Sequence, residues 1–111
     1  MKLPNFEKAI IDIEKLRDYC LSFEHPVGKH KALMFKKKLN FSFADSYKLK
    51  DEIADAVSKN EAHETFSDEY GKRFFVDVKI VNFDKSEMVR TLWIVKKNEN
   101  FPRFISCYIK N

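Results

Sequence analysis

Apolar and polar positions alternate most clearly in the last quarter of the chain. Val89-Arg90-Thr91-Leu92-Trp93-Ile94-Val95 and Pro102-Arg103-Phe104-Ile105-Ser106-Cys107-Tyr108-Ile109 are rich in β-branched and aromatic residues. Between them lies Lys97-Asn98-Glu99-Asn100, whose two asparagines tolerate left-handed backbone. This pattern predicts a β-hairpin. A four-residue loop would set Thr91 opposite Ser106, Trp93 opposite Phe104 and Val89 opposite Tyr108 on one side, with Leu92/Ile105 and Arg90/Cys107 on the other.

The same period of two runs from Arg73 to Val81, with Phe74, Val76, Val78 and Ile80 on one side and Arg73, Phe75, Asp77 and Lys79 on the other. Ala62–Phe66 predicts a short strand, with turns at 68–71 and 82–86. Earlier in the chain the period is helical. Asp12 caps a predicted helix to about Leu21 with Ile13, Leu16 and Cys20 inward, after an irregular or single-strand start that Pro4 keeps from helix. A second helix follows Gly28, from Lys29 to about Leu39, with Ala32, Leu33, Phe35 and Leu39 as core candidates. Ser42 and Asp45 form a capping-box pattern for a third helix to about Ser58, striped by Leu49, Ile53, Ala56 and Val57.

Helices followed by strands, joined by short turns, predict an α+β fold. About three N-terminal helices would pack on one face of a C-terminal antiparallel sheet of three to four strands, as one domain spanning 1–111. Helices on the aliphatic face would leave Arg73, Phe75, Thr91, Trp93, Phe104, Ser106 and Tyr108 on the uncovered one.

Composition changes this picture in two ways. The 44% hydrophobic content and 11 phenylalanines argue for a packed core and against disorder. A formal net charge of +4 favours an anionic partner, and the asymmetry is local: residues 25 to 44 hold Lys29, Lys31, Lys36, Lys37 and Lys38 and no acid. Met1-Lys2-Leu3-Pro4-Asn5 has no apolar leader and no run approaches 18 apolar residues, so the expectation is a soluble, cytoplasmic protein with no membrane partner. Cys20 and Cys107 then read as reduced, half-buried residues.

The chain carries no motif that fixes a reaction. His25 and His30 lack the spacing and the companion cysteine of a zinc site, and Gly28-Lys29 lacks the rest of a phosphate loop, so neither a metal nor a cofactor is expected. The segment His25-Pro26-Val27-Gly28-Lys29-His30 is more informative, because it places Lys29 and His30 in the first turn of a helix, where an anion is favoured. Arg90 and Arg103 lie in apolar strands and need a carboxylate or an anion; Asp77 and Glu69 are the obvious internal candidates.

A metal-independent ribonuclease needs a base near the 2′-hydroxyl, a cation at the phosphate and an acid for the leaving oxygen. His30, Arg90 or Arg103, and Tyr108 are suitable catalytic residue types. Lys29, Lys31, Thr91 and Ser106 suit phosphate binding, and Trp93 and Phe104 suit base stacking. The rival is a non-catalytic protein-interaction module using the uncovered sheet face, with its arginines paired internally; a generic nucleic-acid binder would need only the lysine-rich helix. Convergence of His30, Arg90 and Arg103 in one cleft would favour the nuclease.

The segments Leu3-Pro4-Asn5, His25-Pro26-Val27-Gly28-Lys29-His30-Lys31-Ala32 with Phe35, Glu69-Tyr70-Gly71-Lys72, Val89 to Val95 and Phe101 to Tyr108 together resemble a small bacterial domain family of unknown function. Its members occur as stand-alone proteins and as C-terminal domains of large polymorphic toxins. The order of helices and sheet is similar to that of the RelE-like and colicin D-like toxin ribonucleases. This resemblance implies RNA as a ligand and a cognate antitoxin or immunity protein as a partner, and it directs attention to Lys29, His30, Arg90, Thr91, Arg103, Ser106 and Tyr108.

Overall fold

In the computed structural model, which describes residues 1–110, the first helical element starts where Asp12 caps it, its carboxylate accepting the Glu14 N–H at 3.2 Å. The element is a short α-helix, α1 (Ile13–Lys15), that widens at once into a π-helix over Leu16–Cys20. Leu21 N–H closes the wide turn on the Leu16 carbonyl at 2.8 Å. Leu16 and Cys20 are buried as their spacing predicts, while Ile13 is only half-buried.

Gly28 leads into α2 (Lys29–Leu39), and it is required by contact, because a Cβ at this position would overlap the Tyr19 carbonyl. The wide turn and the start of α2 therefore lie against each other. Ala32, Phe35 and Leu39 are buried, but Leu33 is 54% exposed. At about 100° per residue, Leu33 points away from the stripe that the other three share.

Asn40 ends α2 in left-handed backbone at φ 56°, its N–H donating to the Lys36 carbonyl. The Asp45 carboxylate accepts the Ser42 N–H at 2.9 Å across a 3-10 turn, and α3 (Ser46–Val57) follows, burying Leu49, Ile53 and Val57.

Four strands complete the chain: β1 (Ala62–Asp68), β2 (Gly71–Asn82), β3 (Lys85–Lys96) and β4 (Arg103–Ile109), antiparallel in the order β1-β2-β3-β4. The Asp68 carboxylate shapes the first turn by accepting from Tyr70 and Gly71 N–H, and Gly71 takes a φ of 148° that side chains disfavour. Phe83 at the second turn is left-handed at φ 56° and 90% exposed. Ile10 makes a single parallel bridge with Arg103 at the outer edge of β4.

Burial alternates along β2: Phe74, Val76, Val78 and Ile80 are buried and share one hydrophobic cluster with Leu16, Cys20, Phe35, Leu39, Leu49, Ile53 and Val57. The expected pairing of Trp93 with Phe104 is present, but the rest of the expected register is not. Between Leu92 and Trp93 the β4 partner jumps from Ser106 to Phe104, so Ile105 is an extra residue, and Thr91 pairs with Cys107, Arg90 with Tyr108 and Val89 with Ile109. A bulge of this kind reverses every later side chain relative to a regular hairpin.

The consequence is a correction to the expected uncovered face. Thr91 and Trp93 are fully buried and Phe104 is 1% exposed, opposite or beside Phe74 and Val76. Their polar atoms are satisfied internally: Trp93 Nε1 donates to Thr91 Oγ1 at 2.8 Å, and Thr91 Oγ1 donates to the Val76 carbonyl at 2.8 Å. Ser106 and Tyr108 lie on the other side of β4, facing Leu92 and Arg90 in the register.

Candidate functional site

Lys31 is one of the residues through which the helical half reaches the sheet. Its Nζ donates to Ser106 Oγ at 3.0 Å and lies 4.9 Å from the centre of the Tyr19 ring and 5.7 Å from that of Tyr108. The reach depends on Gly28, which lets the start of α2 approach the Tyr19 carbonyl, and on the bulge, which puts Ser106 and Tyr108 on the side of β4 opposite to Cys107 and its partner Thr91. The ring quadrupoles attract an ammonium held in this way between two aromatic faces and a hydroxyl.

Arg90 extends the site across the sheet. It lies opposite Tyr108, stacks 4.0 Å over the Phe75 ring, and donates from Nε and Nη2 to the two oxygens of Asp77 at 2.8 and 3.0 Å. Lys110 adds a third donor to Asp77 at 3.2 Å. Hydrogen bonding to Asp77 raises the Arg90 pKa further above its usual range, with Tyr108 contributing, and the same contacts, Arg90 first and then Lys110, hold the Asp77 carboxyl below its ordinary 3.8. The row Lys31, Tyr108, Arg90, Asp77 and Lys110 thus carries three cations against one carboxylate. Such an excess can take up an anion by bidentate and point-charge contacts together.

Behind Ser106 stands Cys20, with Sγ 3.5 Å from the Ser106 oxygen. Since Ser106 accepts from Lys31, its own hydrogen is free to point at the sulfur. His25 sits edge-on to Tyr19 at 4.5 Å, and its Nδ1 accepts the N–H groups of Val27 and Gly28 at 3.1 and 3.0 Å. In the neutral ring the proton is therefore on Nε2, which presents a donor.

Of the residues singled out in the sequence, the structure brings together Lys31, Arg90, Ser106 and Tyr108. Lys29 and His30 are exposed in the first turn of α2. Arg103 lies opposite Ile94, four residues along β3 from Arg90 or about 13 Å at 3.3 Å per residue, and is held by Glu99 through two contacts of 2.8 Å. Its partner is neither Asp77 nor Glu69, and His30, Arg90 and Arg103 each occupy a different neighbourhood. Thr91, Trp93 and Phe104 are core residues. Tyr19 and Cys20 join the site without a sequence signal strong enough to find them, since the wide turn at Leu16–Cys20 places them, and His25, from the segment that the sequence singled out, joins through the Tyr19 ring.

A cavity of about 510 Å³ lies elsewhere, lined by Pro4, Glu64, Asp68, Lys72, Phe74 and Glu99 among others. Its mixture of acids and lysines gives no single-sign field, and none of the convergent groups lines it. Among the described residues no cluster of three or more His, Cys, Asp or Glu side chains is disposed to hold a metal, and no helix is long and apolar enough to cross a membrane.

Neither the curated proteins nor the solved structures gave a match to this chain. A family model does match it, over residues 2–111, and by that match the chain belongs to the family described as Domain of unknown function (DUF6883).

Proposed function

We propose that this domain acts on RNA, as a toxin-type, metal-independent ribonuclease or RNA-binding domain, and that it grips a backbone phosphate beside β4. In this reading the helices cover the aliphatic side of the sheet and the opposite side receives the strand. The observation that supports it is the meeting of Lys31 with Ser106 and Tyr108, next to Arg90. Lys31 supplies charge to the phosphate and the Tyr108 hydroxyl a directed donor, while the buried Ser106 hydroxyl holds the Lys31 ammonium in place. Arg90, with two of its edges engaged by Asp77, offers its remaining N–H groups. Tyr108 is the candidate acid for the leaving oxygen; His30, exposed on α2 and outside this cluster, is the candidate base that the bound strand would have to bring into reach.

A second reading rests on a different observation. Both arginines are neutralised within the protein, Arg90 by Asp77 and Arg103 by Glu99. Together with half-buried Phe75 and Leu92 on the same side of the sheet, this supports a protein-interaction surface for a cognate antitoxin or immunity protein.

The experiment is RNA cleavage and binding by purified protein in EDTA, with Lys31→Ala, Arg90→Ala and His30→Ala in parallel. The nuclease reading expects wild-type cleavage to disappear in all three variants while their folding is kept. Binding without cleavage that weakens in Lys31→Ala and Arg90→Ala supports an RNA-binding domain. RNA left both intact and unbound by wild type would transfer the assignment to the protein-interaction surface.

A further inference from the structure

Away from Lys31, the side of the sheet that turns from the core carries two stacks of side chains, and both end in rings on β1. Phe75 belongs to this side because its neighbours Phe74 and Val76 are buried. The Arg90 guanidinium lies 4.0 Å from the centre of the Phe75 ring, and His63, its partner on β1, stacks on the ring at 4.9 Å with 25° between the planes. Since β3 and β1 flank β2, Arg90 and His63 take opposite faces of Phe75. The second stack lies alongside. Arg73, two residues before Phe75 and so on the same side, sets its guanidinium 5.3 Å from the centre of the Phe66 ring. Among the described residues no strand lies beyond β1, His63 is exposed and Phe66 is 56% exposed, so each stack ends in a ring face that is still open.

We propose that the open faces of His63 and Phe66 receive unpaired bases of single-stranded RNA. The assignment rests on the RNA reading of the Lys31 site and specifies which form of RNA that site takes. The stacks start from Phe75 and Arg73, two positions apart on β2, or about 7 Å at 3.3 Å per residue. That is roughly twice the 3.4 Å rise of a stacked strand. Bases on the two rings are therefore splayed from one another, which a single strand allows and a duplex does not. Each ring is already held by its neighbour in the stack, so little side-chain freedom is lost when a base lands on it.

Charge complementarity joins these faces to the phosphate site. Arg90 begins the His63 stack and also stands beside Tyr108 and, through Asp77, Lys110. A strand with a phosphate at Arg90 and Lys31 thus has its bases directed across the sheet towards β1. The acids of β1 leave the faces clear. Glu64 lies opposite Phe74 and so on the other side of the sheet, Glu61 binds the Met1 amino group at 3.2 Å, and Asp68 binds Arg73 at 3.3 Å.

The test is fluorescence anisotropy of the native protein with 2′-O-methyl RNA of about ten nucleotides, which lacks the 2′-hydroxyl that a ribonuclease needs. Three probes are compared: the single strand, the same strand paired with its complement, and an abasic strand of equal length and charge. The single strand should bind tightest. His63→Ala and Phe66→Ala should each weaken it by about 5- to 150-fold, the effect of one lost base stack, without weakening the abasic strand. His63→Phe, which keeps a ring, should restore binding, and a 2-aminopurine in the strand should be quenched by wild type and less by the alanine variants. Wild type that binds the single strand no better than the duplex or the abasic strand, or alanine variants that bind it as wild type does, would overturn the base sites and leave the Lys31 phosphate site standing. Failure of wild type to bind any of the three probes would overturn the RNA reading and the base sites together. The comparison of probes on wild type decides even if a variant fails to fold.

Discussion

Replacing Thr91 by Val separates a structural from a ligand-binding role for the residues that the sequence offered as phosphate and base contacts. The two side chains have nearly the same volume, so no cavity forms, and what disappears is one hydroxyl at a fully buried position. That hydroxyl accepts from Trp93 Nε1 at 2.8 Å and donates to the Val76 carbonyl at 2.8 Å. Without it the indole N–H has no partner in an apolar surround. A buried donor left unpaired costs about 1–3 kcal/mol, and about 2 kcal/mol is the expectation here. With an unfolding entropy of about 2.1 cal/mol/K per residue over 111 residues, that corresponds to a fall in Tm of about 9 °C.

Thr91→Ser is the counterpart. It keeps the hydroxyl and loses one methyl, at about 1 kcal/mol. Urea and thermal unfolding followed by circular dichroism should therefore rank wild type above Thr91→Ser and Thr91→Ser above Thr91→Val. In a Trp93→Phe background, which has no indole N–H to orphan, the cost of Thr91→Val should shrink. A Thr91→Val protein as stable as wild type, or an undiminished cost in the Phe background, would refute the argument. If Thr91 instead contacted a ligand, Thr91→Val would alter RNA binding and leave unfolding unmoved.

Three further outcomes follow from the geometry. Gly71→Ala forces a side chain into backbone at φ 148° and onto the Val95 carbonyl, so it should cost about 2–3 kcal/mol in urea unfolding; a loss under 0.5 kcal/mol would show that the β2–β3 pairing relaxes freely there. Phe83→Gly should gain roughly 0.5–1 kcal/mol, since glycine takes the left-handed turn position freely while the exposed ring offers only its contact with Lys48 at 5.1 Å; unchanged or lower stability would mean that the ring contact outweighs the backbone strain. Arg90 and Lys110 hold the folded Asp77 carboxyl below its ordinary 3.8, so the folded chain binds that proton less readily than the unfolded one. The stabilisation is whole above about pH 4 and is lost as pH falls through the depressed folded value, and Asp77→Asn should flatten that part of the acid limb in urea midpoints. Parallel acid limbs for wild type and variant would exclude the contribution.

Much of the chain's local structure was readable from its pattern. Alternation marked β2, β3 and β4, Asp12, Gly28 and Ser42 with Asp45 marked where helical segments begin, and the spacing of Leu49, Ile53 and Val57 marked the buried stripe of α3. These are properties of neighbours a few residues apart, where periodicity and capping chemistry operate directly. Which side of β3 turns inward was not readable, because Val89-Arg90-Thr91-Leu92-Trp93 has acceptable residues on both sides and one inserted residue at Ile105 reverses the phase of β4. The polar atoms that made Thr91 and Trp93 look functional are satisfied by each other and by Val76, a partner 15 positions away from Thr91. The candidate site was legible only as residue types. Lys31, Ser106, Tyr108 and Arg90 become a site because Gly28 admits the Tyr19 carbonyl, the helix widens at Leu16–Cys20, and the bulge turns Ser106 and Tyr108 to the side that carries Arg90. The approach of Gly28 to Tyr19 and the register of β3 with β4 join separate segments, and such contacts are decided by how the whole core packs.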